Sequence, residues 1–358
     1  MILRPTFRSL TSLSFSLSLS LSLMACSGTD DPAADTVKLA MIPKTSNNLV
    51  FAMGNEGAQS AARFLTASSG SKVTVDYIAS VELDSELEQA NIRKAISDGV
   101  DGILVSCLDE TVGEPIDEAV SAGIPVITFD SDCPNSDRLG FYSMQSEETG
   151  SRGADLLAAA IGSGAKTVAI LNGRAGADNL DKREKGFRDR MAAEYPDVDI
   201  VMTANCAETA DSCGAAIEDD ILATHPDLDG LFIVGLWGVL NACTCDASAT
   251  NCSCDDTELL PNWKAAAKGK LKTVSFDALP FEIELVKQGY MSALIGQKYF
   301  GWGYDTTTMM FDHLKSDRDI EGFIDSGFDV VCPNNVEDME SKWQAKDFRR
   351  PLAPDCEF

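Results

Sequence analysis

The side chains best suited to chemistry in this chain are carboxylates and thiols. Asp130 ends the apolar run from Ile124 to Phe129, and Asp277 ends the run from Lys272 to Phe276, each directly after a phenylalanine. Two such acids could accept hydrogen bonds from paired hydroxyls, or flank a glycosidic bond as a catalytic pair; a Phe-Asp that merely closes a strand and caps a helix is the plainer alternative. Cys243, Cys245, Cys252 and Cys254 form C-x-C-x6-C-x-C. Four thiolates at that spacing could hold zinc, and the same four could staple a loop with two disulfides. The chain has 2 histidines, too few for a His-rich metal site or a series of acid–base relays. His225, before Pro226, reads as a helix end and His313 as an exposed helical residue. No Gly-x-Ser-x-Gly elbow, His-Glu-x-x-His or phosphate loop is present. Neither a cofactor nor a metal is expected.

Composition bounds the rest. A chain of 358 residues with 44% hydrophobic and 24% charged residues has room for two globular domains. A net charge of -27 repels phosphate and argues against a nucleic-acid partner. Arg4 and Arg8 precede a Leu–Ser run ending Leu23-Met24-Ala25-Cys26, the pattern of an export signal. Cys26 directly after Ala25 resembles a lipoprotein cleavage site, so residues 1–25 are expected to be removed and Cys26 lipidated. Serines in the run argue against a permanent span. Residues 26–36 then form a tether, placing the protein in the periplasm or on the cell-envelope surface, with membrane contact through the lipid alone. In that oxidising compartment the remaining ten cysteines favour disulfides. Stapling is therefore favoured over zinc for the four clustered cysteines. Cys206 with Cys213 would close a small loop, and Cys332 with Cys356 would pin the tail.

The positioning elements alternate. Short apolar runs at Val37 to Ile42, Lys72 to Ala79, Gly102 to Ser106 and Ile124 to Phe129 are separated by helical periodicity at Leu49 to Leu65, Leu83 to Ile96 and Val112 to Ala122. The same grammar restarts with strands at Lys166 to Leu171, Val198 to Ala204, Leu231 to Gly235 and Lys272 to Phe276, and helices at Leu180 to Tyr195 and Ala215 to Thr224. Such alternation predicts an α/β fold with parallel sheets covered on both faces. The halves echo one another: Asp101-Gly102-Ile103-Leu104-Val105 leads, a helix later, to Phe129-Asp130, and Asp229-Gly230-Leu231-Phe232-Ile233 leads to Phe276-Asp277. Ligands of parallel sheets bind beyond the carboxyl ends of the strands, so both acids are expected at one shared cleft.

Several blocks, in order, resemble the type I periplasmic binding proteins, the ribose-binding-protein-like sugar receptors of ABC transporters. They are Ile42-Pro43-Lys44-Thr45-Ser46-Asn47-Asn48 with Phe51, Gly123 through Asp130, Asn179 with Arg183 and Gly186-Phe187, His225 through Gly230 before Gly235-Leu236-Trp237, and Val274 through Asp277 with Gln297. The resemblance runs from Val37 to Val331. It implies two doubly wound parallel-sheet domains joined by a three-crossing hinge, with 37–142 and 298–327 in the N-terminal domain. Residues 143–297 and 328–331 would form the C-terminal domain, carrying a Cys-rich insertion at 242–258, and 332–358 would be a tail. It also implies a ligand set. Asp130 and Asp277 would accept from hydroxyls, and Lys44 and Arg183 would donate. Asn48, Asn179 and Gln297 would do both, while Phe51 and Trp237 would offer flat faces to C–H surfaces. For some of these residues a duller role competes. Phe51 would suit ordinary core, Trp237 the base of the Cys-rich loop, and Arg183 a solvated pair with Asp181 or Glu184. Leu49-Val50 before Phe51, Ser131 after Asp130 and Gly235 depart from the ribose pattern. Cys107 and Cys133 follow successive strands expected to be neighbours about 4.8 Å apart, within the reach of a disulfide that would stiffen the cleft rim.

The sequence therefore points to an exported, lipid-anchored monomer that captures a sugar or polyol and delivers it to an ABC transporter permease. A sensor handing the same ligand to a membrane receptor is the alternative, and a carbohydrate-active enzyme is the rival from another class. A transcription regulator of this fold is excluded by the export signal.

Overall fold

The computed structural model describes residues 35–242, 244–245, 252–253, 260–320, 322–345, 348, 352 and 356–358. The expected signal peptide, Cys26, most of the expected tether, Cys243 and Cys254 lie outside them, as do the side chains of Cys245 and Cys252. Among the described residues no helix is long and apolar enough to cross a membrane.

The first sheet is built from β1 (Thr36–Ile42), β2 (Lys72–Tyr77), β3 (Gly102–Val105), β4 (Val126–Phe129) and β5 (Gly140–Ser143), interleaved with α1 (Leu49–Ser69), α2 (Ser85–Ser97) and α3 (Gly113–Ser121). The second begins after α4 (Ser146–Ile161) with β6 (Lys166–Asn172), α5 (Asp178–Glu194), β7 (Val198–Asn205), α6 (Ala210–Ala215) and β8 (Gly230–Ile233). A two-residue hairpin, β9 (Thr244–Cys245) with β10 (Cys252–Ser253), pairs in the Cys-rich segment. Then follow α7 (Pro261–Lys268), β11 (Lys272–Phe276), α8 (Pro280–Lys287), β12 (Ala293–Gly296), α9 (Tyr299–Ser316), β13 (Gly322–Asp325), β14 (Asp329–Val331) and α10 (Val336–Ala345).

Both sheets have six strands, ordered β13-β5-β4-β3-β1-β2 and β14-β12-β11-β8-β6-β7. Five consecutive strands of each follow one pattern: the second strand lies outside the first, and the third, fourth and fifth lie on the other side. The reversal falls between β1 and β3 in one sheet and between β6 and β8 in the other, the points where open parallel sheets leave a crevice. The sixth strands come from the end of the chain, β13 parallel to β5 and β14 antiparallel to β12. The chain thus passes between the sheets three times, after β5, after β12 and after β13. Strands β3, β4, β8 and β12 are buried at every residue, as expected where helices cover both faces.

Each lobe fixes its site-bearing helices by bringing backbones into contact at glycine. A Cβ on Gly57 of α1 would lie 2.0 Å from Phe300 O, and one on Gly303 of α9 would lie 1.8 Å from Gly54 O. In the second lobe a Cβ on Gly150 of α4 would meet Arg183 O at 2.0 Å, and one on Gly186 of α5 would meet Glu147 O at 2.0 Å. Only glycine permits such an approach, so these pairs set where α1, α9 and α5 present their first turns.

Disulfides join Cys107 to Cys133, with Cα atoms 6.0 Å apart, Cys206 to Cys213, and Cys332 to Cys356. The first links the loops that follow β3 and β4.

Candidate functional site

Asp130 and Asp277 follow the fourth strand of their respective sheets, and both have left-handed backbone, φ 61° and 79°. Each amide donates to a carbonyl of the fifth strand, Asp130 N to Tyr142 O at 3.2 Å and Asp277 N to Ile295 O at 2.9 Å. Non-glycine residues seldom adopt positive φ, although Asp tolerates it better than most. Held this way, each side chain leaves the sheet's end.

Asp130 is surrounded by partners of several elements. Lys44, in the loop after β1, places Nζ 3.3 Å from Oδ2, and Ser106 Oγ, just past β3, donates to the same oxygen at 2.9 Å. Asn179 Nδ2, from α5 of the other lobe, reaches Oδ1 at 3.5 Å. Lys44 is 7% exposed, a buried lysine in a cleft loop. Its loop is tied down by Thr45 Oγ1, which donates to Val81 O at 2.6 Å. Behind the loop lies Glu88, 1% exposed, whose Oε2 accepts from Leu108 N at 3.0 Å. Burial pushes the Glu88 carboxyl up to about 8, the nearby Lys44 charge opposing only in part.

Asp277 is held by neutral donors. Gln297 Nε2 donates to its Oδ1 at 2.6 Å, and Tyr299 Oη to the same oxygen at 3.3 Å. Burial raises the Asp277 carboxyl above its ordinary value, against the Arg183 charge, which favours the carboxylate. Arg183 is 2% exposed, so the solvated-pair reading fails; Asp181 and Glu184 turn instead to Asn172. The guanidinium donates from Nη1 to Val234 O at 2.9 Å and from Nη2 to Gln297 Oε1 at 2.8 Å, and it lies 4.3 Å over the Phe276 ring. Its Nε and the Oδ1 of Asn179 are buried with no hydrogen-bond partner in the protein.

All nine sequence-predicted residues line one cavity of about 480 Å³ between the lobes: Lys44, Asn48, Phe51, Asp130, Asn179, Arg183, Trp237, Asp277 and Gln297. Their geometry refines several roles. Asn48 caps α1, its Oδ1 accepting from Val50 N at 3.1 Å, which commits one of its acceptor positions and leaves the amide nitrogen as donor. Phe51 is buried against Trp302, ring centroids 5.8 Å apart, so it serves core and cavity wall together. Trp237 packs over Gly173 and Gly235, where any Cβ would strike the indole. Gly235, one of the departures from the ribose pattern, thus makes room for a ring. His313 is half-buried rather than exposed, its Nδ1 2.9 Å from Arg318 O.

Other residues at the site escaped the sequence reading. Ser106 follows β3, Arg174 and Glu208 follow β6 and β7, and the strand-end rule that singled out the two aspartates applies equally to them. Tyr299 and Trp302 open α9 immediately after Gln297, where an aromatic cluster was the available signal. Arg174 also acts across the cleft: the Asp109 carboxyl, raised by partial burial, is brought below its ordinary value by hydrogen bonds from Ser85 and Thr111 and by the Arg174 charge.

A family model described as periplasmic binding protein domain matches residues 39–318. The ribose import binding protein of Salmonella typhimurium is 28% identical over 270 residues, 74% of this chain and 80% of that protein. A xylose/arabinose-binding protein of Sulfolobus acidocaldarius is 24% identical over 318 residues, 86% of this chain and 73% of its own. Among solved structures, an ABC transporter solute binding protein from Burkholderia graminis in complex with D-arabinose is 27% identical at a TM-score of 0.73, covering 84% of this chain and 96% of that one. A carbohydrate transporter solute binding protein from Agrobacterium radiobacter, also with D-arabinose, is 25% identical at a TM-score of 0.72, covering 87% and 98%.

Proposed function

The chain belongs to the periplasmic binding protein family, and from that premise we propose that it is a lipid-anchored receptor that binds one sugar or polyol between its lobes and delivers it to an ABC importer. The observation that carries this reading is the meeting of Asp130 and Asp277, with donors from both lobes, at one cavity. Carboxylates accept from hydroxyls, and Lys44, Arg183 and Asn48 donate to hydroxyl oxygens; these are the stronger, charge-assisted bonds where an ion takes part. The buried Nε of Arg183 and Oδ1 of Asn179 lack protein partners, and a hydroxylated guest supplies both an acceptor and a donor. Phe51 and Trp237 provide faces for the C–H surfaces of a ring. A ligand touched by both lobes favours the closed state over the open one, and this differential affinity would drive the hinge. The closed form is then what a permease would recognise. Names of the relatives favour pentoses, and the departures at Ser131 and Gly235 favour a sugar other than ribose.

A thermal-shift screen of the mature chain against monosaccharides and polyols, D-arabinose and D-ribose included, tests this. A ligand at about 100 times its Kd should stabilise the protein by about 2.7 kcal/mol. No shift with any member of the panel, together with hydrolysis of oligosaccharides, would replace the receptor with an enzyme.

A further inference from the structure

The chain continues past the third crossing, and past the end of the family match, into α10 and the segment closed by the Cys332–Cys356 bridge. We propose that Trp343 of α10 is a positioning residue for the binding site, holding Asp277 and Tyr299 in place from behind. This rests on the reading that Asp277 receives the ligand.

Three contacts support it. The buried indole Nε1 of Trp343 donates to Ala278 O at 2.9 Å, and Ala278 directly follows the left-handed Asp277. The indole ring also packs on Tyr299, centroids 6.5 Å apart, and Tyr299 Oη donates to Asp277 Oδ1. One side chain therefore braces both the backbone that turns Asp277 outward and the phenol that orients its carboxylate. Strained backbone persists only where its surroundings over-determine it, and for Asp277 part of those surroundings is the tail.

The neighbouring residues anchor the brace to the hinge. Lys342, 1% exposed, places Nζ 2.7 Å from Asp329 Oδ2, while Lys298 Nζ lies 2.7 Å from Asp329 Oδ1. Lys298 stands at the second crossing and Asp329 at the third, so α10 clasps the two crossings together. Phe348 extends the clasp to the first lobe, stacking on Phe300 of α9 at 5.5 Å and meeting Trp343 edge-on at 5.2 Å. Among the described residues, none of the tail bonds to Asp130, and the following Ser131 amide closes a tight turn back to Phe129 O at 2.6 Å. Loss of the brace should therefore affect only one of two acids that share backbone and topology.

The test uses the mature chain with Trp343→Phe, which keeps a ring against Tyr299 and removes the donor. Glu340→Gln, on the same helix as Trp343 and in a surface pair with Lys287 of α8, is the control. Hydrogen–deuterium exchange of ligand-free protein compares residues 277–279 with residues 130–132. Trp343→Phe should speed exchange at the first segment about tenfold and leave the second unchanged, with Glu340→Gln altering neither. In calorimetric titrations with D-arabinose and D-ribose, Trp343→Phe should weaken binding of whichever sugar the wild type takes by about tenfold. Unchanged exchange at 277–279 overturns the proposal, as does a rise spread equally over both segments. If the wild type binds neither sugar the pentose preference fails in that arm, while the exchange arm still decides the brace. Should Trp343→Phe not fold, Trp343→Tyr, which also lacks the indole donor to Ala278 O, is read by the same exchange ratio, with the same outcomes supporting or overturning the proposal.

Discussion

Asp130 and Asp277 occupy equivalent points of a repeated topology, with the same handed backbone and the same bond to the fifth strand, yet their surroundings differ in charge. Asp130 faces a cation directly, Lys44 Nζ at 3.3 Å. Asp277 is held by an amide and a phenol, with Arg183 spending its bonds on Val234 O and Gln297. The shared backbone comes from the sheet, which both lobes build alike. The electrostatics come from loops and helices particular to each lobe. Equivalent position therefore does not mean equivalent response to mutation.

The largest expected effect tests whether the lobes are equally intolerant where their helices touch. Gly57→Ala and Gly150→Ala each place a methyl 2.0 Å from a backbone carbonyl oxygen, and separating the helices should cost about 4 kcal/mol in either case. Urea unfolding measures it; a loss below about 1 kcal/mol in one lobe alone would show that its helices slide freely, and the matched packing would be wrong.

The second prediction separates the acids themselves. Asp130→Asn leaves Lys44 buried without its counter-charge and should cost about 3 kcal/mol of ligand-free stability. Asp277→Asn removes a charge that burial disfavours while keeping an acceptor for Gln297 and Tyr299, so stability should hold or rise. Both should weaken sugar binding about 100-fold, each losing a charge-assisted bond or two. Equal destabilisation of the ligand-free protein would contradict the contrast.

The third uses pH. Behind Asp130 lies Glu88, its carboxyl raised by burial from 4.5 to about 8. The folded state thus keeps a proton that the unfolded chain has released, so stability falls as pH rises from about 4.5 toward about 8. Glu88→Gln should flatten that fall by an amount of order 2 kcal/mol, seen as Tm against pH. A variant with the wild-type slope would mean that Glu88 is charged in the folded state. Burial also raises the Glu282 carboxyl, close to Asp277, so the remaining slope belongs in part to the second lobe. Arg93→Ala, which breaks an exposed bidentate pair with Glu118 at 2.8–3.2 Å, should cost only about 0.5 kcal/mol and calibrates the series.

Much of this was legible in the sequence because buried parallel strands read as continuous apolar runs and because the Phe-Asp echo repeats with the topology. The cavity set was legible because strand-end loops and helix starts carry it. What escaped was long-range or low in propensity. Tyr299–Ser316, read as helical only around His313, contains Gly301, Gly303 and the β-branched run Thr306 to Thr308, poor helix formers that packing on α1 overrides. Strands β13 and β14 have four and three residues and exist only because distant segments return to the sheets. The left-handed conformation of the two acids leaves no sequence signal beyond the residue type. Nor does the tail's contact with Ala278, since Trp343 lies 65 residues away.

A crystal structure of the mature chain with the sugar that gives the greatest thermal stabilisation tests the central claim most directly. The account predicts one ring whose hydroxyl oxygens lie about 2.7 Å from both the Asp130 and the Asp277 carboxylates. A sugar bound elsewhere, or touching only one of the two acids while the other faces solvent, would contradict it.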